Sequence, residues 1–97
     1  MPTYEADPRF WRDWVLLTDA QQDLFRDAIR QMVDDLRAHR RFHPRLRVKG
    51  YQGEPGTFEM TWAKDGRALF RYGTSQRAGE AHIIWLRIGT HGIFRRP

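Results

Sequence analysis

Ninety-seven residues, of which 40% are apolar, 13% aromatic and 30% charged, have the composition of a globular chain able to close one hydrophobic core, which excludes a disordered tail. The lack of cysteine excludes a disulfide framework and thiolate metal ligation and fits a reducing compartment. The net charge of +5 is unevenly held, because residues 1–36 carry four arginines against eight acids whereas residues 37–97 carry thirteen lysines and arginines against four acids. Such segregation favours a polyanionic partner, namely nucleic acid, an acidic protein or an anionic membrane, with a merely solvated surface as the plainer reading.

A single domain over 1–97 is expected. A chain this small buries a modest share of its surface, so a partner covering apolar area would add to its stability. No run of apolar residues reaches the roughly eighteen needed to span a bilayer, and MPTYEADPRFW lacks a basic segment followed by an apolar one, so a soluble, cytoplasmic protein without membrane association is expected.

In chain order, Asp7-Pro8 supplies an N-cap and a first-turn proline, and Phe10, Trp11, Trp14 and Val15 recur at helical spacing, predicting a first helix that ends near Leu17. Thr18 with Gln21 forms a capping-box pattern, and Phe25, Ala28, Ile29, Met32, Val33 and Leu36 make one apolar stripe, predicting a second helix over about 19–39. From Arg37 to Lys49 there are six basic residues and no acid, broken by Pro44. This segment reads as a basic connection leading into a strand around 46–51. Thr57 to Ala63 alternates, with Phe58, Met60 and Trp62 on one side and Glu59 and Thr61 on the other. Lys64-Asp65-Gly66 reads as a hairpin turn. The next strand, 67–72, places Ala68, Phe70 and Tyr72 opposite Arg67, Leu69 and Arg71, and a polar loop follows over 73–80. The last strand, 82–88, sets Ile84, Leu86 and Ile88 against Ile83, Trp85 and Arg87.

The predicted class is therefore α+β, with two N-terminal helices packed on one face of a small, twisted, mostly antiparallel sheet. The helix-facing side would consist of Phe58, Met60, Trp62, Phe70, Tyr72, Ile84, Leu86 and Ile88. The open side would display Glu59, Thr61, Arg67, Leu69, Arg71, Trp85 and Arg87.

Helix, helix, a basic strand ending in Lys49-Gly50, then GTFEMTW, DGRALFRY and HIIWLRIGTHGIF: this succession resembles the RelE/ParE toxin superfamily over nearly the whole chain. The resemblance implies a RelE-like fold and the toxin of a type II toxin–antitoxin pair. It further implies an endoribonuclease that cuts messenger RNA, usually in the ribosome, without metal or other cofactor and silenced by a cognate antitoxin protein. Carried over by position, Arg67 matches the arginine that contacts the scissile phosphate, Glu59 falls where a charged catalytic residue stands, and His91 matches the basic or histidine position of the C-terminal motif. Phe94 lies where many members carry tyrosine, a departure that leaves base stacking as its available role. Arg45, Arg47, Lys49, Arg71, Trp85 and Arg87 are the further RNA-binding candidates.

Attack of a ribose 2′-hydroxyl on its own phosphate needs a base, a cation for the added negative charge and an acid for the leaving oxygen, and Glu59, Arg67 and His91 suit these roles. DNA, lacking that hydroxyl, would bind without being cut. Plainer readings stand beside these. Glu59 and Arg67 on neighbouring strands form an ordinary cross-strand ion pair, His91 is a surface turn residue, and Trp85 is either half-buried core or a stacking platform, which alternation alone does not decide. His39, His43 and His82 have no metal-ligand spacing and read as surface or RNA-proximal residues. The alternative function is a non-catalytic binding module of the same fold, either a gyrase-poisoning ParE-like toxin or an inactive partner-binding relative. A DNA-binding regulator is disfavoured because no helix-turn-helix pattern is visible.

Overall fold

The computed structural model describes residues 2–90. Along the chain run β1 (Thr3–Ala6), α1 (Pro8–Trp14), α2 (Asp19–Arg37), a 3-10 turn (Pro44–Leu46), β2 (Lys49–Gly50), β3 (Thr57–Thr61), β4 (Gly66–Tyr72) and β5 (His82–Thr90). The strands form one sheet in the order β1-β5-β4-β3-β2, antiparallel except for the parallel β1–β5 pair. The two helices cover one face, as the α+β reading expects.

Both helix starts form as the sequence predicts. Asp7 accepts the Arg9 backbone N–H at 2.8 Å, and both arms of the Thr18–Gln21 capping box close. The first helix stops at Trp14, three residues short of the expected end, and Val15 and Leu16 are left exposed. The second helix ends in a Schellman arrangement: the His39 N–H donates to the Leu36 carbonyl and the Arg40 N–H to that of Asp35. His39 takes the left-handed position of this motif, φ 52°, where glycine is usual.

The core joins Phe10 of α1, Phe25, Ala28 and Met32 of α2, and Leu46 to Met60, Trp62, Ala68, Phe70, Ile83, Trp85 and Ile88. Aromatic edges meet there, with Trp85 5.2 Å from Phe25 and 5.5 Å from Phe70 between ring centroids. At the β3–β4 turn a Cβ on Gly66 would lie 2.5 Å from the Trp62 indole, so only glycine lets this turn close over the ring.

Four points correct the sequence reading. β1 was not foreseen; it is a four-residue edge strand with no alternation of its own, held by its parallel ladder to His82–Trp85. The strand expected around 46–51 shrinks to Lys49–Gly50. Pro44 starts a 3-10 turn capped by His43, Leu46 plugs the core, and Arg47 adopts the left-handed conformation, φ 47°, that ends extended pairing. In β5, Leu69 faces Arg87 but Phe70 faces Trp85, so Leu86 is an extra residue in a β-bulge. The bulge reverses the alternation halfway along: Ile83 and Trp85 before it and Ile88 after it face the helices, so the expected set of Ile84, Leu86 and Ile88 holds only for Ile88. Tyr72, expected inside, is 45% exposed at the end of β4.

Candidate active site on the outer face of the sheet

Alternation about the buried Met60, Ala68 and Phe70 turns Thr57, Glu59 and Thr61 of β3 and Arg67, Leu69 and Arg71 of β4 to the face away from the helices. The structure thus brings Glu59 and Arg67 to one face. That face is recessed rather than an open arginine display, because Thr57, Glu59 and Leu69 are buried while Arg71 is exposed.

Glu59 and Arg67 do not pair with each other. The ladder sets Glu59 opposite Leu69 and Arg67 opposite Thr61, a two-residue offset. Lys49 lies directly across from Glu59 on β2, and its ammonium approaches the carboxylate at 3.5 Å. The cross-strand partner of Glu59 is therefore Lys49, not Arg67. The Arg67 guanidinium folds over the β3–β4 turn, and its Nη1 donates to the carbonyls of Ala63, Lys64 and Gly66 at 3.3, 3.3 and 2.9 Å. Among the described residues these bonds use only one of its nitrogens, leaving the Nε–Nη2 edge, the side suited to a two-oxygen fork, for a ligand. A carboxylate, an ammonium and a guanidinium on one recessed surface can accept a proton and bind a phosphate.

The other candidates divide. Arg71 is exposed between Thr57 and Ile84. Arg47 is exposed in its left-handed turn, and Arg45 donates through Nη2 to the Asp27 carbonyl at 3.3 Å. Trp85 is 5% exposed and packed on the helix side among Phe10, Phe25 and Phe70, which corrects its expected place on the open face and leaves no ring surface for a base. Arg87 forks onto buried Asp13 of α1, with Nε at 2.7 Å and Nη2 at 3.0 Å, and the same carboxylate accepts the Ile88 N–H at 3.1 Å. The Asp13 hydrogen bond, opposed by partial burial, holds the Arg87 pKa above its ordinary value. Arg87 therefore ties α1 to the stretch of β5 beyond the end of β1. His91 and Phe94 lie outside the described residues.

Two further buried groups were missed by the sequence reading. Asp35 accepts from Gln31 Nε2 at 3.1 Å, Arg40 Nε at 2.8 Å and the His43 N–H at 2.8 Å, tying the basic connection to the end of α2. Burial pushes its pKa up, but the His43, Arg40 and Gln31 donors outweigh this and hold it below the ordinary carboxylate value. His82, expected at the surface, is buried; its Nδ1 meets the Thr3 hydroxyl at 2.7 Å and its Nε2 the Glu5 carboxylate at 3.3 Å, locking β1 to β5. A signal for the acids was available: Asp13 stands three residues after Phe10 and Asp35 three after Met32, on buried helical stripes. Among the described residues no group of three or more His, Asp or Glu is gathered as metal ligands would be, and no helix is long and apolar enough to cross a membrane.

No family model matches the sequence, and neither does any curated protein. Solved structures do. A chain of the E. coli DinJ–YafQ complex matches with a TM-score of 0.70 at 12% identity, covering 96% of this chain and 97% of that one. The chain has the RelE-like fold. YafQ from E. coli matches with a TM-score of 0.65 at 13% identity over 97% and 98% of the two chains. The YoeB/ParE toxin from Agrobacterium tumefaciens matches with a TM-score of 0.65 at 17% identity over 92% and 98%. Within this RelE-like fold the recessed face of β3 and β4 carries the group of polar residues described above.

Proposed function

We propose that the chain is the toxin of a toxin–antitoxin pair and that it cleaves messenger RNA by attack of a ribose 2′-hydroxyl on the adjacent phosphate. The observation that carries this is Glu59 and Arg67 on one recessed face, in a fold shared with YafQ and YoeB/ParE toxins. Glu59 takes the 2′-hydroxyl proton as the O2′–P bond forms. Arg67 binds the phosphate oxygens through its Nε–Nη2 edge and stabilises their added charge. His91 protonates the departing 5′-oxygen as the P–O5′ bond breaks, leaving a 2′,3′-cyclic phosphate and a 5′-hydroxyl. Lys49 and Arg71 hold neighbouring phosphates on the same face. No step calls for a metal or other cofactor.

The partner is an acidic antitoxin, in line with the DinJ–YafQ complexes among the structural neighbours. A groove of about 520 Å³ between α1, α2 and the β1 side of the sheet, walled by Tyr4, Trp11, Trp14, Ile29 and Arg26, suits an amphipathic antitoxin helix with apolar anchors and an acidic edge. The ribosome is the site of action in this reading, and messenger RNA threaded through it the substrate.

Incubation with messenger RNA, free and ribosome-bound, tests the proposal. Cleavage giving cyclic phosphate ends is expected from the parent and not from Glu59→Gln. Arg67→Ala should lose most cleavage and toxicity while keeping its fold, and Arg67→Lys should recover only part, since an ammonium lacks the planar fork. Intact RNA under both conditions, with growth arrest still present, would refute nuclease activity. It would favour the non-catalytic, gyrase-poisoning alternative, to which the Glu59–Lys49 ion pair and phenylalanine at position 94 lend support.

A further inference from the structure

The connection between α2 and β2 is more organised than a basic loop needs to be. Asp35, 1% exposed, gathers Arg40 and the His43 backbone onto the end of the helix. His43 Nδ1 then accepts the Arg45 N–H at 3.0 Å and starts the 3-10 turn, Leu46 is sunk in the core, and Arg47 is thrown into the left-handed region. For a residue other than glycine that conformation is strained, and such strain gathers at ligand clamps. The result is a groove of about 370 Å³ lined by Arg41, Phe42, His43, Pro44, Arg47 and Val48, within the range of about 300–1,000 Å³ found for small-ligand clefts.

The cations of this segment are not equivalent. Arg40 is engaged by Asp35, Arg45 by the Asp27 carbonyl and Lys49 by Glu59. Arg41 and Arg47 have no acceptor among the described residues, and both line the groove. The half-buried Phe42, whose ring meets Phe70 edge-on in the core, and the exposed Pro44 line the same groove. Two unengaged guanidiniums and two apolar rings lining one groove match the parts of a nucleotide, with phosphate oxygens for the forks and a base for the ring surface. An acidic peptide would meet the guanidiniums but has no base to lay on the rings.

We propose that this groove is a nucleotide-binding subsite for single-stranded RNA, separate from the recessed face that carries Glu59 and Arg67. It deepens the RNA reading above and rests on it for the class of polymer. Arg47 stands two residues before Lys49, whose ammonium meets Glu59, so the groove adjoins the start of β2 along the chain, and in this proposal the RNA strand passes from the Glu59 face over β2 into it. The subsite holds the RNA flanking the scissile bond and fixes its path.

The test uses the full chain and a short 2′-O-methyl RNA, which binds but offers no hydroxyl for cleavage, so the outcome does not depend on nuclease activity. Arg41→Gln/Arg47→Gln should lower affinity roughly tenfold or more. It should also make the dependence of log K on log salt shallower by about 1.4, the release expected for two phosphate contacts on a single strand. Arg12→Gln/Arg77→Gln, which removes the same charge elsewhere, should leave both values near those of the parent. Arg41→Gln alone, free of the left-handed position, should show about half the change in slope. The proposal is overturned if the groove variants match the control, or if the parent does not bind the oligonucleotide. It is overturned equally if they lose affinity for an oligoglutamate peptide while keeping it for RNA. Cleavage lost or retained in Glu59→Gln bears on the catalytic reading alone.

Discussion

Asp13→Ala should be among the most damaging single substitutions in this chain. It removes the carboxylate that holds both the Arg87 fork and the Ile88 N–H. The Asp13 side chain is 8% exposed and that of Arg87 23%, so the pair is largely withdrawn from water, with some screening left to the arginine. Removing one partner of a buried pair costs about 3–5 kcal/mol. Partial exposure of Arg87 lowers this, while the orphaned Ile88 N–H restores about 1–3 kcal/mol, and about 3 kcal/mol is the expected loss. At about 4–8 °C per kcal/mol for a domain of this size, Tm should fall by roughly 12–24 °C. Asp13→Asn keeps an acceptor for Ile88 and should cost distinctly less. In a double-mutant cycle with Arg87→Leu the coupling should exceed about 1.5 kcal/mol, since the second change removes the stranded cation. Urea unfolding followed by circular dichroism measures all four corners. A loss below about 1 kcal/mol for Asp13→Ala, or no coupling, would refute the reasoning and return Arg87 to the RNA-binding surface.

The pKa of Asp35 is lowered from an ordinary value of 3.8, so its stabilisation is complete above that value and is lost as the pH falls through the lowered native pKa; the deficit of Asp35→Asn relative to the parent should therefore be full near neutrality and shrink in acid unfolding below about pH 4. His39→Gly should raise stability by about 0.5–1 kcal/mol in urea melts, because it relieves a left-handed side chain at a helix end; a destabilisation would mean that the imidazole makes a contact worth more than the strain. Trp85→Ala should cost about 3–5 kcal/mol through the cavity it opens, and an unchanged melting temperature with reduced RNA affinity would place the indole on the outer face after all. On the proposed function, Trp11→Ala should weaken binding of the cognate antitoxin in titration calorimetry while sparing RNA cleavage, and equal affinity would move the docking site off the apolar groove.

Local chemistry was legible in the sequence wherever one short segment decides its own conformation. The Asp7-Pro8 and Thr18–Gln21 starts, the stripe from Phe25 to Leu36 and the hairpin about Gly66 all form as their residues dictate. So does the turning of Glu59 and Arg67 to one face, since alternation within β3 and β4 is unbroken. What depends on a neighbour was not legible. β1 exists because β5 offers it an edge, and the bulge at Leu86 changes the phase of β5 without a mark in its own apolar pattern, which carried Trp85 from the outer face to the core. The partners of the charges are likewise a tertiary matter. Composition counts six basic residues between Arg37 and Lys49, but only packing decides that Asp35 claims Arg40, that Glu59 claims Lys49 rather than Arg67, and that Asp13 claims Arg87. The physical reason is one of range. Caps, turns and periodicity act within a few residues, whereas strand register and buried ion pairs join atoms that the chain separates by up to seventy-nine positions.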